Sequence, residues 1–283
     1  MCDNRTQGSR PLNPSKRARA AGKLPANDLA RYAGNPDFVL SLARGLRVIE
    51  SFEGRLDGLS IVEISDLAGL SRAAIRRILL TLELLGYVER SRQVYRLKTQ
   101  VLRLGFSYLS SSSIVEAARP VLERISEKLR ESSSMSMLDG AEIVYVARSA
   151  ATRVLAAGLS VGSRLPAYCT SMGRVLLAAL PDEEVATYLS SLKPVAFTPN
   201  TIVKLPQLRK AILEVRKDGY AIVDQELEAG LRSIAVPVSN RAGRVVAAIN
   251  VGTHVSRVDY PTLLKKCLPA LQEGARTLRN VLI

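Results

Sequence analysis

The sequence is poor in the residues on which metal sites, disulfides and catalytic bases depend. Its 283 residues include a single histidine, His254, three widely spaced cysteines, Cys2, Cys169 and Cys267, and no tryptophan. This set forms no Cys/His zinc pattern and no disulfide framework, so we expect neither a bound metal ion nor a disulfide. A chain with so few cysteines suits the reducing cytoplasm. Catalysis is not expected, because Cys169 would need an activating base and His254 is far away in the sequence.

Long apolar runs and glycine-rich phosphate loops are missing as well. The longest apolar stretches, such as 245–249, are far shorter than the roughly 18 residues that a membrane span requires. The first residues contain no apolar core of a signal peptide. No glycine-rich loop of the P-loop or dinucleotide-binding type is present. We therefore expect a protein that does not bind a membrane, is not secreted and uses no cofactor.

Basic residues, in contrast, are abundant. The chain has 40 Lys and Arg against 26 Asp and Glu, a net charge of +14 and an isoelectric point near 10.0. An excess of this size attracts polyanions, of which nucleic acid is the most common, although a basic soluble protein without a nucleic-acid partner is the alternative. Residues 1–36 carry seven basic and two acidic residues and no apolar periodicity, which predicts a disordered basic arm. The arm either contacts DNA phosphates or is a solvated tail.

Residues 37–100 have the pattern of a helix-turn-helix followed by a hairpin. A first amphipathic helix extends to about Phe52, and Ser60 with Glu63 predicts a capping box at the start of a second helix. Gly69 then predicts a tight turn, and Ser71 predicts the N-cap of a third helix that ends near Gly86. Two short strands follow at 87–90 and 94–97.

The third helix carries cations close to its start, as a recognition helix does. An arginine side chain can form two hydrogen bonds to guanine in the major groove, so this helix predicts sequence-specific binding to double-stranded DNA. Arg92 stands at the tip of the hairpin, where a winged helix-turn-helix contacts the flanking backbone or the minor groove. The candidate DNA-binding residues are Ser71, Arg72, Ala73, Arg76, Arg77 and Arg92.

A predicted linker helix at 101–113 leads to an α+β region at 114–283, which is long enough for its own core. Consecutive strand pairs with helices grouped between them predict an antiparallel sheet flanked by helices. We expect helices at 115–131, 172–180, 182–192, 206–219 and 260–282, and strands at 135–138, 143–148, 154–159, 220–224, 233–238 and 245–251.

A small-molecule site is predicted where a polar loop meets a helix start near Met172. The loop contains Tyr168, Thr170 and Ser171, and free N–H groups at a helix start favour a carboxylate, although a plain Ser/Thr cap is the alternative. Ser233 and Asn250 are polar residues on otherwise apolar strands, which places them either at a ligand or against a neighbouring loop. Arg164 and Arg232 are candidate partners for an anion. For Arg232 and Asp224, taken singly, a salt bridge is the simpler interpretation.

Three motifs in the expected order resemble the IclR family of bacterial transcription regulators. The stretch LAGLSRAAIRRILLTLELLGYV at 67–88 is similar to its winged helix-turn-helix, and RLPAYCTSMGRVLLA at 164–178 and GYAIVDQELEAGLRSIAVPV at 219–238 are similar to its effector domain. The Ala73–Ala74 pair, where many members have Ser-Thr, resembles the Pca- and Pob-type subgroup that controls aromatic-acid breakdown through the β-ketoadipate pathway.

The resemblance implies an effector domain of GAF-like fold, a homodimer or a tetramer of two dimers, and binding to a promoter. It also implies an effector such as protocatechuate, 4-hydroxybenzoate or β-ketoadipate. The ligand-contacting positions of the family correspond here to Tyr168–Gly173, Asp224, Ser233 and Asn250. The competing classes are an enzyme built on the C-terminal domain and a non-specific chromatin protein.

Overall fold

The computed structural model describes residues 29, 32, 34–111, 113–150 and 159–281, together with their side chains except at 109–111. The chain forms two compact units, and the boundary falls between Ser111 and Ser112. Most of the predicted arm at 1–36 and of the predicted strand at 154–159 lies outside the described residues.

The first unit is a small helical domain with a three-stranded sheet. Its core contains Val48, Ile64, Ile75 and Leu79, which are completely buried. Its elements are α1 Leu40–Glu50, β1 Leu59–Ser60, α2 Ile61–Ala68, α3 Arg72–Leu84, β2 Val88–Ser91, β3 Val94–Leu97, a 3-10 turn Thr99–Val101 and α4 Leu102–Ser111.

Local hydrogen bonds fix the turn between α2 and α3. The Ser60 hydroxyl accepts from the Glu63 N–H (3.3 Å) and the Glu63 carboxylate accepts from the Ser60 N–H (2.8 Å), which confirms the predicted capping box. Gly69 ends α2 with φ +65°, a left-handed conformation that glycine adopts without a Cβ penalty. The Ser71 hydroxyl accepts from the Ala74 N–H (3.3 Å), so α3 begins where the sequence predicted.

The second unit is built on a six-stranded antiparallel sheet in the order β6-β5-β4-β9-β8-β7. Its strands are β4 Ser132–Asp139, β5 Glu142–Ser149, β6 Arg164–Pro166, β7 Ala221–Asp224, β8 Leu231–Ser239 and β9 Val245–His254. Its helices are α5 Ser113–Leu129, α6 Ser171–Ala178, α7 Asp182–Ser191, α8 Leu205–Asp218, the short α9 Tyr260–Thr262 and α10 Leu268–Val281.

Helices cover both faces of this sheet. Helices α5 and α10 pack on the face that presents Ile249, so closely that a Cβ on Gly274 would lie 2.8 Å from Ile125 and 3.5 Å from Ile249. Helices α6, α7 and α8 share a core with Ala235 and Ala248 on the opposite face. The α+β fold class with its N-terminal helix-turn-helix is confirmed.

Two parts of this unit differ from the sequence prediction. Arg164–Pro166 forms the edge strand β6, paired with β5 through Ile143 and Leu165, where the sequence indicated a loop. Three residues are too few to display the alternation that identifies a strand. The predicted single helix at 260–282 contains a π-helical stretch at Leu263–Cys267 between α9 and α10, and this change of hydrogen-bond spacing does not alter the apolar pattern enough to be seen in the sequence.

Candidate functional site

The start of α3 exposes the predicted DNA-binding side chains. Arg72, Ala73, Arg76 and Arg77 are all exposed, whereas Ile75 on the same helix is fully buried in the domain core. Arg72 and Arg76 are four residues apart and share one helix face. No described residue forms an ion pair with the guanidinium group of Arg72, Arg76 or Arg77. All three cations are therefore available to a polyanion. Ser71 itself serves as the N-cap of the helix.

The hairpin after α3 holds a further cation at its tip. Strands β2 and β3 pair up to Ser91 and Val94, which leaves a two-residue turn of Arg92 and Gln93. Arg92 is exposed and has φ +57°, an uncommon conformation for a residue with a Cβ. Its carbonyl oxygen accepts a hydrogen bond from the Arg90 Nε (3.0 Å), which supports the turn.

The second unit contains a cavity between one sheet face and the start of α6. The cavity has a volume of about 60 Å³, and its walls carry apolar side chains together with a few polar groups, as those of small-molecule sites do. Five of the predicted effector-binding residues line it: Thr170, Ser171 and Met172 from the helix start, and Ser233 and Asn250 from the strands. Cys169, which lies in the range Tyr168–Gly173 that the family resemblance indicated, lines the cavity too. Sequence analysis did not identify the other lining residues: Ser132, Ser134, Tyr145, Arg148, Leu159, Leu165, Val223, Leu227, Leu231 and Gly252.

The polar lining comes from neighbouring rows of the sheet. Ser134 on the central strand β4 pairs with Arg148 on one side and with Asn250 on the other. Strands lie about 4.8 Å apart, so Arg148 and Asn250 stand on either side of Ser134 with about 10 Å between their backbones. Ser233 pairs with Gly252 in the next row on the same face. The sheet thus presents a cation, hydroxyls and an amide side by side.

A β-bulge places Arg148 on this face. Tyr145 pairs with Ser136 and Ala147 pairs with Met135, so Val146 is an extra residue without a partner in β4. With strict alternation, Tyr145 and Arg148 would point to opposite faces of the sheet, and the extra residue brings both to the cavity. Arg148 is the one charged residue among the described lining residues, and no described residue forms an ion pair with it.

The start of α6 combines a helix cap with open hydrogen-bonding groups. Thr170 is the N-cap, since its hydroxyl accepts from the Gly173 N–H (3.2 Å). The Ser171 and Met172 N–H groups belong to the first helical turn, where no intrahelical carbonyl reaches them, and no described residue supplies one. The predicted plain cap is therefore present at Thr170 beside donors that remain open.

Two buried polar atoms at the cavity have no partner among the described residues. They are the Ser171 Oγ and the Asn250 Oδ1, in residues that are 1% and 8% exposed. A buried polar atom without a hydrogen bond costs about 1–3 kcal/mol. Both atoms lie in residues that line the same cavity, so a ligand with polar groups at both places would remove that cost.

Burial keeps two acidic groups of the cavity wall protonated. Desolvation raises the pKa of Tyr145 to about 12, against an opposing effect of the positive charge on Arg148. Desolvation, assisted by the negative charge of Glu226, raises the pKa of Cys169 to about 12. Tyr145 is therefore a hydrogen-bond donor at neutral pH, and Cys169 is a neutral thiol rather than a reactive thiolate.

Three predicted residues near the helix start serve the scaffold instead of lining the cavity. Arg164 pairs with Asp139 (2.7 Å) and Glu142 (2.8 Å) beside the edge strand β6. The Tyr168 hydroxyl donates to the Val195 carbonyl (2.7 Å) and accepts from the Val195 N–H (2.9 Å). Gly173 allows close packing, because a Cβ there would lie 2.1 Å from the Ala167 carbonyl oxygen.

Asp224 and Arg232 also stand apart from the cavity lining. The Arg232 Nη2 lies 2.8 Å from the Asp224 Oδ2 across the paired strands β7 and β8, and the Arg232 Nη1 donates to the Val258 carbonyl (3.2 Å). The salt bridge that the sequence offered as the simpler interpretation is the arrangement observed.

Metal sites and membrane-spanning helices are absent from the part of the chain that the structure describes. No group of three or more His, Cys, Asp or Glu side chains there is arranged to hold a metal ion. No helix among the described residues is both long and apolar enough to cross a membrane.

Two family models match the chain. The one described as the IclR helix-turn-helix domain matches residues 41–92, and the one described as the C-terminal part of the bacterial transcriptional regulator IclR matches residues 106–280. They cover the unit with the exposed arginines and the unit with the cavity.

Individual proteins resemble the chain over most of its length. The Pca regulon regulatory protein of Pseudomonas putida is 45% identical over 276 residues, 95% of each chain. The p-hydroxybenzoate hydroxylase transcriptional activator of Acinetobacter baylyi is 35% identical over 250 residues, 87% of this chain and 92% of that protein. The crystal structure of an IclR homolog from Microbacterium hydrocarbonoxydans complexed with 4-hydroxybenzoate matches with a TM-score of 0.73 and 26% identity, covering 86% of this chain and 98% of that one.

Proposed function

The chain belongs to the IclR family of bacterial transcriptional regulators, and on that basis we propose that it controls genes of aromatic-acid breakdown in response to an aromatic carboxylate. Residues 37–100 bind promoter DNA, 101–113 form the linker, and 114–283 bind the effector. The names of the Pca and p-hydroxybenzoate relatives and the 4-hydroxybenzoate bound to the homolog support this choice of ligand.

One observation carries the assignment of the effector site. The Arg148 guanidinium, the Ser171 Oγ and the Asn250 Oδ1 have no described protein partner, and their residues line one cavity. The guanidinium suits a carboxylate, with which it forms two parallel hydrogen bonds. The open N–H groups at the start of α6 favour the same negative charge.

The cavity favours a hydroxylated monocarboxylate over a dicarboxylate. Arg148 supplies a single positive charge among the described lining residues, which balances one carboxylate. The Asn250 Oδ1 accepts hydrogen bonds, so it suits a hydroxyl of the ligand. Both features fit 4-hydroxybenzoate or protocatechuate, whereas β-ketoadipate has two carboxylates and no hydroxyl.

Calorimetry with matched ligands tests this proposal. The wild-type protein is expected to bind 4-hydroxybenzoate at least about tenfold more tightly than its neutral analogue 4-hydroxybenzamide, because only the acid forms a charge-assisted bond. Arg148→Met is expected to remove the preference for the acid over the amide. Asn250→Ala is expected to lower the affinity for both ligands equally. Protocatechuate and β-ketoadipate, titrated in parallel, test the preference for a hydroxylated monocarboxylate.

Arg164→Met is the matched control, since Arg164 is paired with Asp139 and Glu142 outside the cavity. Its affinity for 4-hydroxybenzoate is expected to equal that of the wild type. If Arg164→Met loses affinity and Arg148→Met keeps it, the carboxylate binds elsewhere.

The DNA-binding unit has an apolar surface suited to a second copy of the chain. Leu42 and Leu46 on α1 are 62% and 48% exposed, and Leu104 on α4 is 49% exposed; the three lie together on one concave surface. An exposed apolar surface of this kind marks an interaction site, and an operator with two half-sites requires two recognition helices. We expect sedimentation velocity to show a homodimer or a tetramer made of two dimers. Leu46→Glu is expected to shift the protein towards the monomer, and an unchanged dimer would exclude this surface.

A further inference from the structure

Behind the cavity, the second unit buries an ion pair between Arg174 and Glu226. The Arg174 Nη2 lies 2.6 Å from the Glu226 Oε2, and the two side chains are 5% and 7% exposed. In every other described ion pair at least one side chain is 36% exposed or more. Among the described ion pairs, this is therefore the one in which both charges are almost completely removed from water, at a large cost in desolvation free energy.

The pair connects two walls of the cavity. Arg174 lies on α6 three residues after Ser171, and its Nε also donates to the Tyr168 carbonyl (3.0 Å). Glu226 belongs to the loop 225–230 between β7 and β8, next to Leu227, which lines the cavity. The ion pair thus fastens the loop to the helix whose start forms another part of the site.

The loop depends on such contacts because its backbone is irregular. Gln225 has φ +57°, and within the loop the Gln225 N–H donates to the Leu231 carbonyl (2.7 Å). Outside the loop, the Thr198 hydroxyl donates to the Gln225 carbonyl (2.6 Å) and the Val255 N–H donates to the Gly230 carbonyl (2.9 Å), while Glu226 makes the contact with α6. Its Oε2 also accepts from the Ile202 N–H (3.2 Å), and its carbonyl oxygen accepts from the Thr201 hydroxyl. Ile202 is thereby bound to the same carboxylate as α6, and Thr201 to the backbone of the same residue.

Stability alone does not account for this arrangement. Replacing a buried ion pair by apolar residues of similar volume is often neutral or stabilising. A pair with fixed hydrogen-bond directions does, however, define the relative position of the two segments that it joins. We propose that Arg174 and Glu226 are positioning residues that hold the loop 225–230, and Leu227 with it, against α6 in the geometry that the effector requires. The effector part of this inference rests on the function proposed above.

The test replaces both charges in the full-length protein with apolar side chains, as Arg174→Met with Glu226→Leu. We expect its unfolding temperature to stay near that of the wild type. Hydrogen exchange of the amides at 226–231 should be about tenfold faster, because the loop has lost its side-chain contact with α6. Calorimetry should give a Kd for 4-hydroxybenzoate that is about tenfold higher, a change of about 1.4 kcal/mol.

A second ion pair at the other end of the same helix is the matched control. Arg216 pairs with Asp182, and its Nε donates to the Ala178 carbonyl at the end of α6 (2.8 Å). Arg216→Met with Asp182→Leu is expected to change neither the exchange at 226–231 nor the Kd. If the Arg174/Glu226 double variant does not fold, Arg174→Lys keeps the charge and loses the planar fork, and is expected to show the same changes in smaller measure.

The outcomes separate this inference from the proposed function. A folded Arg174/Glu226 variant with unchanged exchange at 226–231 overturns the positioning role, whatever ligand the protein binds. The same holds if exchange rises but the Kd for 4-hydroxybenzoate stays at the wild-type value. A wild-type protein that binds no aromatic carboxylate overturns the proposed effector instead, while the exchange result still decides whether the pair holds the loop.

Discussion

The two units of this chain hold their arginines in opposite environments. On α3, Arg72, Arg76 and Arg77 are exposed and close together, so all three contribute to one region of positive electrostatic potential. Dissolved salt screens this potential. In the cavity, Arg148 is half-buried and alone, so one residue supplies the charge for one ligand. Loss of one arginine from the DNA-binding surface should therefore lower the affinity for DNA only in part. Loss of Arg148 removes the single described cation of the cavity.

The origin of the two arrangements differs as well. The arginines of α3 are placed by the period of one helix, which begins at its cap Ser71. Arg148 is placed by the bulge at Val146 and by the pairing of β5 with β4. The first surface is thus set by local sequence, and the second by tertiary structure.

The largest expected effect is on stability, and it is expected to differ between two Gly→Ala variants, one in each unit. In Gly173→Ala the new Cβ would lie 2.1 Å and 2.4 Å from backbone atoms of Ala167, which no side-chain rotation relieves. We expect a loss of about 3 kcal/mol in the free energy of unfolding. In Gly86→Ala the new Cβ would meet no atom within 4 Å, so the variant has only the cost of a left-handed backbone (φ +79°) and should lose about 1 kcal/mol. Calorimetric unfolding of the full chain measures both, and equal losses would contradict the packing role of Gly173.

The next effect tests whether the exposed arginines differ among themselves. We predict that Arg76, on one face with Arg72, contacts base edges. Arg76→Ala should weaken operator binding by about 1–3 kcal/mol and relax the sequence preference. Arg77→Ala, the neighbouring control, should weaken operator and random DNA to a similar degree. Titrations on both DNAs at several salt concentrations measure this, and equal losses for Arg76→Ala would remove its role in base recognition.

A smaller effect is expected at the hairpin tip. Arg92 has φ +57°, so alanine would add backbone strain to the loss of charge. Arg92→Asn removes the charge while keeping a residue that tolerates this conformation. We expect the Arg92→Asn variant to bind operator and random DNA more weakly by the same factor. We also expect the slope of log K against log salt concentration to fall in magnitude by about 1. A slope equal to that of the wild type would show that Arg92 does not contact phosphate.

The same contrast explains how far the sequence predicted the molecule. Capping residues, the turn at Gly69 and the apolar stripe of α3 depend on neighbours within four positions, so the helix-turn-helix was predicted closely. In the cavity, Thr170, Ser171 and Met172 were identified because a helix start is also a local signal. Ser233 and Asn250 were identified because polar residues interrupt apolar strands.

The remaining cavity residues depend on contacts between distant segments. Arg148 and Tyr145 reach the same face only through the bulge, and Ser134 meets Asn250 through the pairing of β4 with β9. Conversely, charge alone suggested Arg164 and Arg232, and the structure places acidic partners beside both. A sequence shows which charges exist, but pairing across strands decides which of them remain open to a ligand.

The cavity wall contains buried titratable groups, so its response to pH can be predicted. Between pH 6 and 8, where the phenol of 4-hydroxybenzoate stays protonated, affinity for this ligand should not change, since burial raises the pKa of Tyr145 and that of Cys169 to about 12 each. A raised pKa means that the folded state holds the proton more tightly than the unfolded state, whose tyrosine releases it near pH 10. The contribution of Tyr145 to stability is therefore complete below pH 10 and is lost as the pH rises from about 10 to 12. Tyr145→Phe should lose less stability than the wild type in this range, when unfolding is followed by calorimetry. Parallel losses for the two proteins would show that the Tyr145 hydroxyl is not desolvated in the folded state.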